Sequence, residues 1–118
     1  MKAILINPAD KTVKSIEIGR HYSEIYKVID CNTFECPVIF PNQDTLYCDD
    51  EGLFKVQDGG TLMKNWSYPI LGKMIVIGSN DEGESQDCVS TVEEIQSLIV
   101  HWLSKEESER FRNMNGFY

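Results

Sequence analysis

The sequence predicts an α+β fold, a mostly antiparallel sheet with two or three helices packed on it. Three observations carry that expectation. Met74, Ile75, Val76 and Ile77 run together within residues 70–77, as in a central strand covered on both faces. Short β-rich segments are punctuated by Asn, Asp, Gly and Pro turns. Residues 90–103 carry an apolar stripe at helical period behind a capping signal.

Residues 2–7 read as a buried strand, stopped by Asn7-Pro8 and an Asp10-containing turn. Residues 12–18 alternate imperfectly and supply a hairpin partner that ends at Gly19. Tyr22, Ile25, Tyr26 and Ile29 fall at i, i+3, i+4 and i+7, one face of a short helix that must pack on the sheet. Residues 31–40 are rich in Thr, Phe, Val and Ile and close at Pro41-Asn42, and residues 45–48 form a further strand. Asp49-Asp50-Glu51-Gly52 is then the turn of a hairpin whose second arm is 53–56. Asp58-Gly59-Gly60 is a loop, and residues 62–68 show no clear period, so loop or irregular strand is expected there.

Residues 70–77 are expected as one continuous strand, followed by a long polar turn over 78–84. In the second helix, Ser90 and Thr91 are N-cap candidates and Glu93 or Glu94 completes a capping box. Val92, Ile95, Leu98, Ile99, Trp102 and Leu103 form its stripe, which predicts a helix over 90–103. Residues 104–118 read as a peripheral helical tail anchored by Phe111. A chain of 118 residues without repeats is expected as a single domain.

The formal net charge is -8, from 19 acidic and 11 basic residues. A field of that sign repels phosphate backbones and anionic lipid, so direct nucleic-acid binding and membrane-surface binding are not expected. Basic partners are steered toward the protein. The charge is also uneven: no Lys or Arg lies between Lys27 and Lys55, nor between Lys73 and Lys105. Asp49, Asp50 and Glu51 fall in the first acid-only window, and Asp81, Glu82 and Glu84 in the second. These six are the candidate partner-binding residues. The opening apolar run is too short for a signal peptide or a span, so a cytoplasmic protein with reduced thiols is expected.

Sites with a chemical signature are weak. Cys31 and Cys36 lack the spacing of a zinc knuckle, and Cys48 and Cys88 would complete a four-thiolate site only through the fold. No metal, cofactor or catalytic residue is assigned. The loop from Asn80 to Asp87 is rich in oxygen but has Thr91 where a calcium loop needs its twelfth-position Glu. His21 and His101 have no Ser or Cys partner at motif spacing. Trp102 and Tyr26 have helical spacing that core packing explains, which leaves Trp66 and Tyr68 as candidate ligand-binding aromatics.

Asn7-Pro8 after the first strand, Tyr22-Ser23-Glu24-Ile25, the stretch from Leu46 to Leu53, Pro69-Ile70-Leu71-Gly72 and the run from Val76 to Glu84 occur in that order. Together they resemble domain of unknown function family 3846, small proteins of phages and bacteria. The resemblance spans roughly the first hundred residues, one domain's length. It implies a phage or mobile-element setting and carries no activity. The leading expectation is a non-enzymatic accessory protein that binds a basic host protein through an acidic surface. It could do so as a nucleic-acid mimic or as an inhibitor of a host defence. The alternative is a small-ligand binding or catalytic domain with a pocket near Trp66, Tyr68 and the Asp49-Asp50-Glu51 turn. A homodimer is a third expectation.

Overall fold

The computed structural model describes residues 1–51, 57–64 and 66–114. Strand β1 (Lys2–Asn7) turns back through Lys11, in the left-handed region at φ 58°, into β2 (Thr12–Glu17). The pair runs in register from Lys2 opposite Glu17 to Asn7 opposite Thr12. Helix α1 (Ser23–Val28) follows, and buries Ile25 and, just past its end, Ile29. Strands β3 (Phe34–Ile39) and β4 (Thr45–Asp49) form the next antiparallel pair. The hairpin arm expected at 53–56 lies outside the described residues.

β5 (Gly60–Met63) is a regular strand where an unpatterned stretch was expected to begin. β6 (Ile70–Leu71), β7 (Met74–Ser79) and β8 (Ser85–Gln86) come next. The chain then forms α2 (Val92–Ser97), β9 (Ile99–Leu103) and α3 (Lys105–Met114). The strands make two sheets. The main one has the order β2-β1-β7-β4-β3, with β8 joined to β7, and the smaller one the order β6-β5-β9. Among the described residues every pairing is antiparallel, and with the three helices described this is an α+β fold.

β7 lies between β1 and β4 and is buried from Met74 to Gly78. Because side chains alternate across a strand, it feeds two cores. Met74 and Val76 join Ile4, Ile6, Leu46, Met63, Ile70 and Ile95 on the face covered by the small sheet and α2. Ile75 and Ile77 join Ala3, Ile25 and Ile29 on the face covered by α1. An apolar run with no two-residue alternation is what this double burial needs.

Two expected elements are divided. The strand over 70–77 breaks at Gly72-Lys73, and its halves belong to different sheets. Gly72 makes that corner at φ 88°, and a Cβ there would stand 2.8 Å from Gln57 Oε1. The helix over 90–103 stops at Ser97, and Ile99–Leu103 is a strand beside β5. Ile99 and Trp102, β-branched and aromatic, pair there with Met63 and Thr61, whereas a helix would restrict their rotamers. The helix start is as expected: Glu94 N donates to Thr91 Oγ1 at 3.1 Å, and Thr91 N donates to Glu94 Oε1 at 3.2 Å.

The described part of the tail, residues 104–114, has a buried side. α3 buries Ser108 completely and leaves Arg112 only 4% exposed, paired with Glu109 at 3.1 Å.

Candidate functional site

At one end of the main sheet, β3 carries Glu35, and β4 ends at Asp49, which Asp50 follows. The β3–β4 pairing sets Glu35 opposite Cys48 and Phe34 opposite Asp49. The register then shifts between Glu35 and Val38, where Pro37 lacks the N–H a regular ladder needs. Beyond β4 the chain bends sharply: Glu51 N donates to Asp49 Oδ1 at 2.9 Å, and Asp50 N donates to Thr33 O at 3.2 Å. This Asx-type turn aims Asp49 inward and Asp50 outward.

The facing wall is the connection from β5 to β6. Trp66 N donates to Met63 O at 3.2 Å, which turns the chain at the end of β5. The Trp66 and Tyr68 rings lie 5.8 Å apart and are tilted by 59°, within the range of favourable aromatic pairs. Trp66 is half-buried and packs on the core with its Nε1 buried and unbonded, whereas Tyr68 is 55% exposed at the rim. Between the walls is a cleft of about 290 Å³ lined by Glu35, Pro37, Cys48, Asp49, Asp50, Trp66, Tyr68, Pro69, Ile70 and Leu71.

Burial pushes the Cys48 thiol well above its usual range, and neighbouring Glu35 and Asp49 push it further. Cys48 Sγ lies 3.8 Å from Glu35 Oε1 as a hydrogen-bond donor. It therefore stays S–H and is a poor nucleophile. Among the described residues, no Lys, Arg or His lines the cleft. A broader groove of about 460 Å³ runs along β9 past Lys11, Gln96, Val100, His101 and Trp102. Its one titratable ring, His101, is already held by Glu107 at 2.8 Å.

The expected site residues are thus divided. Asp49, Asp50, Trp66 and Tyr68 come together at this cleft. Asp49, expected as a surface charge, is only 6% exposed because it ends β4 and accepts the turn's N–H. Asp50 is exposed, and Glu51 is half-exposed and accepts from Thr33 Oγ1 at 3.4 Å. Asp81, Glu82 and Glu84 are exposed on the β7–β8 turn, which Asn80 Oδ1 shapes by accepting from Glu82 N and Glu84 N at 2.9 Å each.

The two acidic turns lie at opposite ends of the main sheet. β4 pairs with β7 from Thr45 opposite Ile77 to Cys48 opposite Met74, so Asp49 is near the start of β7 and Asp81 beyond its end. At about 3.4 Å per residue, that separates them by roughly 20 Å.

Glu35 and Cys48 line the cleft although neither stood out as a site residue; Glu35, an acid inside a β-rich stretch, was the available signal. The cysteines are thiols, and the sheet separates Cys31 from Cys48 and Cys88, which removes the four-thiolate arrangement. Among the described residues no group of three or more His, Cys, Asp or Glu is placed to hold a metal ion. Nor is any described helix long and apolar enough to cross a membrane.

Comparison with known proteins gives one positive finding. No curated protein and no solved structure matches this chain. Residues 1–100 match the model of a family described as Domain of unknown function (DUF3846). The cleft residues, from Glu35 to Leu71, all lie inside that stretch, and α3 lies beyond it. By that match over most of its length, the chain belongs to the DUF3846 family.

Proposed function

We propose that this is a non-catalytic accessory protein of phage or prophage origin that binds a basic host protein, with the cleft as the contact that receives a cationic side chain. The observation that carries the reading is the lining of the cleft, which includes Glu35, Asp49 and Asp50 with Trp66 and Tyr68 and no basic residue among the described lining. A cation entering there gains carboxylate partners and an aromatic surface together. The net charge of -8 adds long-range steering of a basic partner.

This reading joins the acidic surface to the aromatic pocket and narrows both. Asp81, Glu82 and Glu84 stand at the other end of the sheet and act, on this reading, through the general field rather than by contact. Catalysis has less support. The thiol in the cleft is kept protonated, and among the described residues no imidazole lines the cleft to serve as a base.

The test uses a Lys- and Arg-rich probe peptide, with binding measured at low and high salt. Binding should weaken as salt rises, because the charges at the mouth of the cleft are screened. The double variant Glu35→Gln, Asp50→Asn should weaken it further. Reversal of Asp81, Glu82 and Glu84 to Lys should slow association but leave the bound complex centred on the cleft. Binding that ignores the cleft variant, or that moves to the β7–β8 turn, overturns the assignment.

A further inference from the structure

The phase of the β1–β2 ladder is fixed at its open end. Met1 N donates to Ile18 O at 2.6 Å, and Ile18 N donates to Met1 O at 3.0 Å. Antiparallel pairs alternate between those that exchange two hydrogen bonds and those that exchange none. Counting inward from Met1 and Ile18, the residues of β2 that bond β1 are Ile16, Lys14 and Thr12, so Val13, Ser15 and Glu17 turn their N–H and C=O groups away from it. Lys2, opposite Glu17, shows the same phase: its N donates to Asp87 Oδ1 at 2.8 Å, and its O accepts from Cys88 N at 3.0 Å. Among the described residues nothing bonds the outward groups of β2.

Such an edge is a template for another strand unless something blunts it. The other described edges are blunted. β3 carries Pro37 and a register shift, β9 is interrupted at Val100, and β6 and β8 have two residues each. β2 keeps an unbroken register over its six residues, with Lys14, Ser15 and Glu17 exposed.

We infer that β2 is the docking edge for a second copy of this chain, paired antiparallel about a two-fold axis at Ser15. The two main sheets then become one continuous sheet.

Register and charge both point to a second copy. Outward groups must meet outward groups, so the axis can fall at Lys14, Ser15 or Ile16. At Lys14 it sets two ammonium groups opposite each other, which is destabilising. At Ile16 it leaves Val13 beyond the end of the partner strand. At Ser15 the whole span 13–17 pairs with itself, Val13 meeting Glu17 and Lys14 meeting Ile16, with about six main-chain hydrogen bonds. Lys11 and Val13 both line the groove along β9, so they share a face of β2. Glu17 of the second copy, opposite Val13, points to that face and stands diagonal to Lys11, within reach of a long side chain. The axis makes this contact twice, which an unrelated strand would not. In the single chain Glu17 has a long ion pair with the Met1 ammonium, at 3.6 Å, that leaves its side chain 82% exposed. The edge also lies where two acidic molecules repel least: residues 1–29 carry five basic and three acidic residues in a chain of net charge -8. β2 and the cleft are at opposite edges of the main sheet, so pairing through β2 leaves each cleft uncovered.

The experiment uses the full-length protein. Sedimentation equilibrium from micromolar to millimolar concentration reads the association, and amide hydrogen exchange at both ends of that range, read by NMR, locates it. The protein should dimerise, and the amides of Val13, Ser15 and Glu17, fast when dilute, should slow about tenfold or more when concentrated. Ser15→Pro removes an outward N–H that β1 does not use and should give a folded monomer. Lys11→Glu should weaken the dimer about tenfold, two ion pairs becoming two repulsions, and adding Glu17→Lys should restore it. A chain that stays monomeric throughout overturns the inference, as does a dimer in which those three amides stay fast or one that survives in folded Ser15→Pro. Should Ser15→Pro not fold, the charge swap decides: no weakening in the single variant, or no rescue in the double, overturns the register.

Discussion

Asp44 shows how much a single side chain can organise without being part of a site. Its carboxylate is completely buried, a position that costs free energy unless it is hydrogen-bonded. It accepts from Val89 N at 3.0 and 3.1 Å and from Ser90 N at 2.7 Å, fastening the β3–β4 connection to the chain entering α2. Asn42 reinforces the join by donating from Nδ2 to Ser90 Oγ at 2.9 Å. Removing a charged acceptor strands the buried N–H of Ser90 and the part-buried N–H of Val89, so Asp44→Ala should cost about 2–3 kcal/mol of stability. Asp44→Asn keeps an acceptor oxygen and should cost less. Urea denaturation of the two variants checks this, and a wild-type midpoint for Asp44→Ala would show that the carboxylate carries no load. Cys48 has a different role at the same scale: buried in the cleft lining and held as a neutral thiol by burial and by neighbouring Glu35 and Asp49, it excludes thiolate chemistry there.

Among the elements, α3 depends most visibly on its cap. Ser104 N donates to Glu107 Oε1 and Glu107 N donates to Ser104 Oγ, both at 3.1 Å, a reciprocal cap before a ten-residue helix. His101 on β9 adds a third bond, with Nε2 2.8 Å from Glu107 Oε2. The His101 hydrogen bond, followed by that from Ser104, holds the Glu107 carboxyl down from its ordinary 4.5 to about 2. A carboxylate whose folded pKa is lowered adds stability above the ordinary value and loses it as pH falls through the folded one. The contribution of this cap to α3 should therefore be complete above pH 4.5 and fade toward pH 2. NMR of the Glu107 carboxyl carbon should show a midpoint near 2 that rises in His101→Ala. A wild-type midpoint above about 4, in the unperturbed range, would mean the cap is not formed in solution.

On the scale of the whole molecule, two cores share one sheet, and a net charge of -8 is spread over a small surface. Like charges at both ends of the main sheet repel one another, which weakens the compact state. Described ion pairs such as Lys73–Asp30 at 2.7 Å offset this locally, and such partly exposed pairs contribute only about 0–1 kcal/mol. Salt should accordingly stabilise the protein by screening the excess repulsion, at the concentrations that weaken binding of a basic partner. Thermal unfolding from low to physiological ionic strength should show a rising midpoint. A falling midpoint would mean that attractive pairs outweigh the repulsion.

What the sequence determined by itself was whatever acts over a few residues. The β1–β2 hairpin, α1 beneath Ile25, the Thr91–Glu94 capping box and the doubly buried run of β7 all follow from local period, turn chemistry and capping. The end of α2 was not local. Leu98, Ile99, Trp102 and Leu103 fit a helical stripe, and the strand prevailed because Gly60 and Thr61, some forty residues away, offered a ladder to Leu103 and Trp102. The break at Gly72 was likewise decided by the small sheet taking Ile70 and Leu71. The candidate site divides in the same way. Its residue types were visible as an acidic turn and an unexplained aromatic pair. Their meeting depended on the β5–β6 connection lying beside the end of β4, which also placed Glu35 in the lining. Long-range pairing and burial are cooperative properties of the folded chain, and no local pattern in the sequence encodes which distant segments will share them.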